Sequence, residues 1–259
     1  MFLVEWKKQW SKQKTYNRLV LFFGLFFFFF LVNYYLHKGG FDYIEGYDFM
    51  RSFIGSVLTL ILPLLLFIEI IADLAREYSE GTIRMYFFED VPRRNFIISK
   101  ITHAFLKTFF IFLFLFLFLI VFSYLFFDLS PYLIEDTLLP IQTQICRTAV
   151  TFAHYLLLVN VFLAIGYLLV VIFNGSLVTS LALTVFLYFL YTIGHGMIRI
   201  LFFQNLNAVS LLLLEARLVS KVKSAIILGF LQLTIIIISL YLFLVQRFSV
   251  IDILSNERR

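Results

Sequence analysis

The sequence predicts an all-α integral membrane protein: six transmembrane helices, an N-terminal interfacial amphipathic helix, and short re-entrant or interfacial helices between spans five and six. Three observations carry that expectation. Only 14% of the residues are charged and 62% are apolar, whereas a soluble domain is about 25% charged. The 35 phenylalanines fall largely in runs without charge, more apolar side chain than a soluble core of this length can hide. Those runs are long enough for a helix to cross the hydrocarbon. The chain reads as a single transmembrane domain over residues 1–259.

Residues 1–18 open the chain as a surface helix. Phe2, Leu3, Trp6 and Trp10 share one helical face, and Lys7, Lys8, Lys12 and Lys14 flank it. Tryptophan at headgroup depth, with lysines reaching to phosphate, marks a helix lying in the membrane plane. A solvated basic tail that only sets topology is the alternative. The long polar part and the lack of a small-residue cleavage site predict no cleavable signal peptide.

Spans are expected at about 19–36, 52–72, 101–127, 148–173, 177–198 and 224–245, followed by a polar tail, 246–259. Pro63 should kink the second span, because proline removes one backbone bond. Residues 128–147 read as a polar loop, and Asn174-Gly175-Ser176 as a tight turn. Residues 199–223 mix polar positions with Leu211–Leu214, a pattern suited to helices dipping into the interface. Six spans put both termini on one side. With the termini cytoplasmic, fourteen of the 21 lysines and arginines lie inside, so that orientation is expected. The net charge of +5 is therefore an orientation signal, and no nucleic-acid partner is expected.

Several lone polar groups need an account. Cys146, the one cysteine, excludes an internal disulfide and reads as small apolar filler. His37, His103, His154 and His195 lack metal-ligand spacing, so no metal is expected. Glu69 should pair with Arg76 or Lys100 at the interface; a proton or ion relay is the alternative. Lys107 should snorkel to the interface.

One stretch stands apart. Asp73–Lys100 holds ten of the 37 charged residues and lies between two apolar runs. Asp73 to Glu80 continues the second span as a helix, and Gly81 breaks it. Thr82 to Phe88 forms a short element with Ile83, Tyr86 and Phe87 exposed beyond the membrane. Pro92 then opens the next helix, where a proline costs little. Arg93, Arg94 and Lys100 should hold that helix start at the headgroups. An apolar-aromatic tip between charged shoulders needs a protein groove to cover it.

The chain carries no Gly-x-x-x-x-Gly-Lys-Ser/Thr, so it does not bind ATP through a P-loop. It has no Gly-x-Ser-x-Gly elbow and no His-Glu-x-x-His. The chain itself is therefore not expected to be an enzyme or to carry a cofactor.

Glu77-x-x-x-Gly81-Thr82-Ile83, followed by Pro92-Arg93-Arg94 and Lys100, resembles the type-2 permease family of ABC transporters. The hydropathy resembles that family over nearly the whole chain. Two features depart from its pattern: proline and arginine are adjacent at Pro92-Arg93, and the proline usual near the outer re-entrant segment is missing, with Asn205 and Asn207 in its place. The resemblance implies a six-span permease subunit of an ABC exporter with a cytoplasmic coupling helix between spans two and three. It implies a separate ATP-binding subunit, with ATP and Mg on that partner, and a second permease copy. Glu77, Gly81, Thr82, Ile83, Tyr86, Phe87, Pro92 and Arg93 become the ATPase-coupling residues, and Trp6, Lys7, Lys8 and Trp10 the interfacial anchor. The expected place is the plasma or bacterial inner membrane. The cargo stays open among peptide, lipid and hydrophobic drug-like molecules. Two other readings stay open: a membrane enzyme or ion relay using Glu69, His103 and Lys107, and a scaffold subunit that transports nothing.

Overall fold

The computed structural model describes residues 24, 27, 31 and 35 singly, and the stretches 46–79, 92–127, 130–134, 137–193 and 219–250. Helix α1 is Gly46–Ser79, α2 is Arg93–Phe126, α3 is Ile141–Ile172, α4 is Leu177–Ile193 and α5 is Val219–Val250. Between α2 and α3, strands β1 (Tyr132–Ile134) and β2 (Thr137–Leu139) pair antiparallel, with Tyr132 opposite Leu139. That hairpin is the one departure from helix among the described elements.

Four of the described helices are long and apolar enough to cross a membrane: α1, α2, α3 and the Ile227–Phe248 part of α5. α4 is apolar but shorter. The chain is thus a multi-pass membrane protein. The expected spans 52–72, 101–127, 148–173 and 224–245 fall on the four long helices, and 177–198 starts where α4 starts. The expected span 19–36 lies outside the described residues except at Gly24, Phe27, Leu31 and Tyr35, all helical. The surface helix 1–18 and residues 199–218 also lie outside them.

The helices outrun the apolar runs that foretold them. An apolar run marks the hydrocarbon, but the backbone keeps its helical bonds into the polar flanks. So α3 begins at Ile141 inside the expected loop 128–147, and α5 continues to Val250 inside the expected tail. Proline starts two of these helices. The Pro92 carbonyl accepts from the Asn95 and Phe96 amides at 2.9 and 3.2 Å, and the Pro140 carbonyl accepts from Thr143 and Gln144 at the same distances. Proline fits there because its fixed φ suits a helix start and the first amides have no partner within the helix anyway.

α3 is the hub. It packs against α1, α2, α4 and α5 and is the most buried of the long spans. Phe67 of α1 and Phe162 of α3 meet Tyr188 of α4 edge-on, with centroids 5.3 and 5.2 Å away. Gly166 lets α3 come close: a Cβ there would collide with Ile71 of α1 and lie 3.1 Å from Thr184 Oγ1 of α4. Small residues at helix contacts let backbones approach where lipid offers no hydrophobic driving force. α2 is much less buried. Its Phe105, Phe109, Phe110 and Phe114 point outward. Further along, Phe122 packs tilted against Phe118 at 4.1 Å and stacks on Phe126 at 5.0 Å. Much of α2's phenylalanine therefore forms an outer surface instead of a packed core.

Inside α1 the sequence expectation of a kink at Pro63 takes a specific form. Ile54–Ile61 is π-helical, and the Leu62 amide bonds the Val57 carbonyl five residues back. In an α-helix the proline ring would strike the Thr59 carbonyl, four residues back. A wider π turn relieves that crowding. The Thr59 carbonyl still lacks the amide that proline cannot supply, and the Tyr188 hydroxyl donates to it. Thr59 Oγ1 also donates to Tyr155 Oη of α3 at 3.0 Å. One threonine thus joins three helices. Tyr188→Phe should lower stability in detergent by about 1–3 kcal/mol, the cost of an unsatisfied buried carbonyl. Pro63→Ala should recover part of that loss in the Tyr188→Phe background, because alanine at this position restores the amide. Thermal unfolding of the single and double variants checks this; equal midpoints for Tyr188→Phe and wild type would contradict it.

Candidate functional site

The ends of α1 and α5, the start of α2 and the α3–α4 turn converge at one end of the bundle, next to residues 80–91. There the helical period sorts the charges. Glu69, Asp73 and Glu77 are each four apart and share one face of α1. Lys100, His103 and Lys107 are three and four apart and share one face of α2. The two faces meet in opposite directions. Lys100 Nζ donates to Glu77 Oε1 at 2.7 Å. Lys107 Nζ lies 2.7 Å from Glu69 Oε1. The two pairs sit eight residues apart on α1, about 12 Å along the axis. Their register puts Asp73 level with His103.

This seam is largely withdrawn from the surface. Lys100 and His103 are buried, while Lys107 and the acids are half-buried. A charge placed here alone would cost several kcal/mol, so each needs its opposite. Aromatic rings close the outer pair. Lys100 Nζ sits 5.6 Å over the Phe96 ring, a cation–π contact. Phe96 stacks on Phe248 of α5 at 5.8 Å, and Tyr78 meets Phe248 edge-on at 6.4 Å. Tyr78 also lies against the α3–α4 turn. Asn174 and Gly175 there have φ of 50° and 85°. A Cβ on Gly175 would lie 2.8 Å from Tyr78 Cβ, so both the backbone and the space require glycine. The tight turn read from Asn174-Gly175-Ser176 is present and is pressed against the seam.

Deeper in, a neutral contact extends the same α2 face. Asn160 Nδ2 of α3 donates to Thr108 Oγ1 at 3.2 Å and to the Leu156 carbonyl at 2.8 Å. The α1–α2 seam is thereby tied to the hub helix. Among the described residues no group of three or more His, Cys, Asp or Glu is placed to hold a metal ion.

Of the coupling residues expected from sequence, Glu77, Pro92 and Arg93 are described. Glu77 is in the outer pair, Pro92 precedes α2 and Arg93 begins it. Gly81, Thr82, Ile83, Tyr86 and Phe87 lie outside the described residues, as do Trp6, Lys7, Lys8 and Trp10. Two expectations need correction. Glu69 pairs with Lys107, not with Arg76 or Lys100. Lys100 is taken by Glu77, and Arg76 sits about 10 Å along the same helix from Glu69. Lys107, expected to snorkel, meets Glu69 across the helix contact. Lys100 is buried against Phe96 and Glu77 and does not hold headgroups. The signal for these pairs is in the spacing. Glu69 with Lys107 and Glu77 with Lys100 are centred on nearly the same position, about residue 88, which is what two helices folding back on each other require.

Lys107→Met should leave Glu69 without its partner and lower stability by up to about 3 kcal/mol. Glu69→Leu together with Lys107→Met should cost less than Lys107→Met alone. Gly175→Ala should cost about 1–3 kcal/mol through strain and collision with Tyr78. Unfolding midpoints in one detergent check all three; a double variant weaker than Lys107→Met would contradict the pairing.

Comparison with known proteins gives the family. No curated protein and no solved structure matches the chain. The family model described as ABC-2 family transporter protein matches residues 1–193. That match covers the first four expected spans, most of the fifth and the whole charged stretch, in agreement with the resemblance carried by Glu77, Gly81 and Thr82. The chain belongs to the ABC-2 family of transporter proteins.

Proposed function

We propose that this chain is the membrane-spanning permease subunit of an ATP-driven exporter. A separate subunit binds Mg-ATP, and residues 80–91 form the coupling helix that seats in its groove. The observation that carries the reading is the charged seam. The helix entering 80–91 and the helix leaving it are joined by Glu77–Lys100 and Glu69–Lys107, each at 2.7 Å. A push on the segment between them therefore reaches both helices at once. Family membership supports the partner, since ABC-2 permeases typically work with an ATP-binding subunit. The lack of a P-loop in this chain supports placing the nucleotide on the other.

In this reading hydropathy supports six spans, and the charge bias supports cytoplasmic termini, with the seam then at the inner leaflet. The Trp6/Trp10 helix then lies on that leaflet beside the coupling helix, with Lys7 and Lys8 at the headgroups. A second permease copy, identical or related, completes the translocation path. Closure of the ATP-binding subunits drives alternating access, and cargo and nucleotide each bias the same two-state element. Phenylalanine-rich walls suit an amphipathic or hydrophobic cargo such as a peptide, a lipid or a drug-like molecule. An ion relay through Glu69, His103 and Lys107 draws less support, because Glu69 and Lys107 neutralise each other.

Replacing Thr82–Phe87 by a glycine-serine linker should abolish recovery of the ATP-binding subunit with this chain from detergent-solubilised membranes. Glu77→Gln should leave assembly intact but lower ATP hydrolysis of the complex in nanodiscs several-fold. Undiminished hydrolysis and assembly in the linker variant would overturn the reading.

A further inference from the structure

We propose that Glu69 and Lys107, together with the Glu77–Lys100 pair, are positioning residues that make the paired segments of α1 and α2 one rigid lever, and that this lever pivots at the π-helical stretch Ile54–Ile61. The inference rests on the proposed coupling role of residues 80–91 and goes beyond it by naming the arm and the pivot.

The arm is stiff for a stated reason. Its two ion pairs lie about 12 Å apart along α1, so the two helices cannot twist or slide without separating a pair. One pair alone would leave a hinge between the helices; two at different depths remove it. Separation is opposed by desolvation, because Lys100 is only 4% exposed and its charge would be left in an apolar setting. Thr108 and Asn160 continue the tie into α3 at 3.2 Å.

The pivot is soft for an equally specific reason. Above Glu69, α1 gives up its α-register over eight residues. Pro63 removes the amide that would restore that register at Thr59. The bond that replaces it comes from the Tyr188 hydroxyl of α4 and not from α1's own backbone. Gly55, within the same stretch, has no heavy atom within 4 Å of where a Cβ would lie. The structure thus puts strong, doubled pairing below Pro63 and substituted bonding above it. A displacement at 80–91 would be carried unchanged along the arm and taken up at Ile54–Ile61.

The test uses the complex of the full chain with its co-purified ATP-binding subunit, in nanodiscs, with Cys146→Ser as background. Nitroxide labels go at Ile68, Phe105 and Ser52, all exposed. Pulsed electron-spin distances are measured without nucleotide and after trapping with Mg-ATP and vanadate. The Ile68–Phe105 distance, across the arm, should stay constant. The Ser52–Phe105 distance, across the pivot, should shift by several ångström. Glu69→Gln with Lys107→Gln should broaden the first distribution and at least halve the second shift. The charge swap Glu69→Lys with Lys107→Glu should restore both, which a role confined to packing does not predict. An Ile68–Phe105 distance that changes as much as Ser52–Phe105, or a neutral double variant identical to wild type, would overturn the lever. So would a complex that hydrolyses ATP with neither distance moving, and that result would leave the partner itself intact. Failure to recover any ATP-binding subunit would instead strike the reading on which the lever rests.

Discussion

Two opposite charges held 2.7 Å apart at Glu69 and Lys107 are the constraint from which the rest of this structure follows. Withdrawing an unpaired charge from water costs several kcal/mol. Neither residue is tolerable alone on its helix, so α1 and α2 must lie together in one register. That register also brings Glu77 to Lys100. It also brings Tyr78 and Phe96 to Phe248, and Tyr78 to the Gly175 turn. The arrangement at this end of the bundle thus follows from charge pairing first and aromatic packing second.

The upper half of α1 obeys a different constraint. In lipid every backbone carbonyl needs a partner within the protein. Pro63 breaks that rule at Thr59, and the fold answers with a π turn and a tyrosine from α4. Tyr188 can do so because Phe67 and Phe162 hold its ring on edge and aim its hydroxyl at α1. Gly166 contributes by letting α3 come close to Ile71 and Thr184. One helix therefore has two differently bonded parts: a lower part paired to its neighbour by charge, and an upper part where a π turn and a side chain from α4 take the place of regular α-helical bonding. Thr59 ties the upper part to α3, and Asn160 of α3 bonds Thr108 of α2, the helix to which the lower part is paired; α3 touches every other described long helix.

Much of this is legible in the sequence, for identifiable reasons. Hydropathy locates four long spans because hydrocarbon thickness imposes a length that few other constraints mimic. Proline at 92 and glycine at 175 mark a helix start and a turn because their backbone preferences act locally. The helix ends are less legible, since polar residues such as Gln144 and Lys223 remain helical without leaving an apolar trace. Ion-pair partners are hard to read for a related reason. Proximity along the chain matches Glu69 to Arg76, whereas its partner lies 38 positions away across a helix contact. Only the combined spacing of 69, 73 and 77 against 100, 103 and 107 holds that information. The π-helical stretch is unreadable beyond its proline, because Tyr188 is set by tertiary packing.

The central claim is that force enters this chain through residues 80–91 from an ATP-binding partner. A photo-crosslinking amino acid placed at Phe87 in the full chain, irradiated in native membranes, tests it most directly. The account predicts a crosslink to a P-loop ATP-binding protein whose yield changes when Mg-ATP and vanadate are added. Crosslinks confined to lipid, or to this chain itself and insensitive to nucleotide, would contradict it.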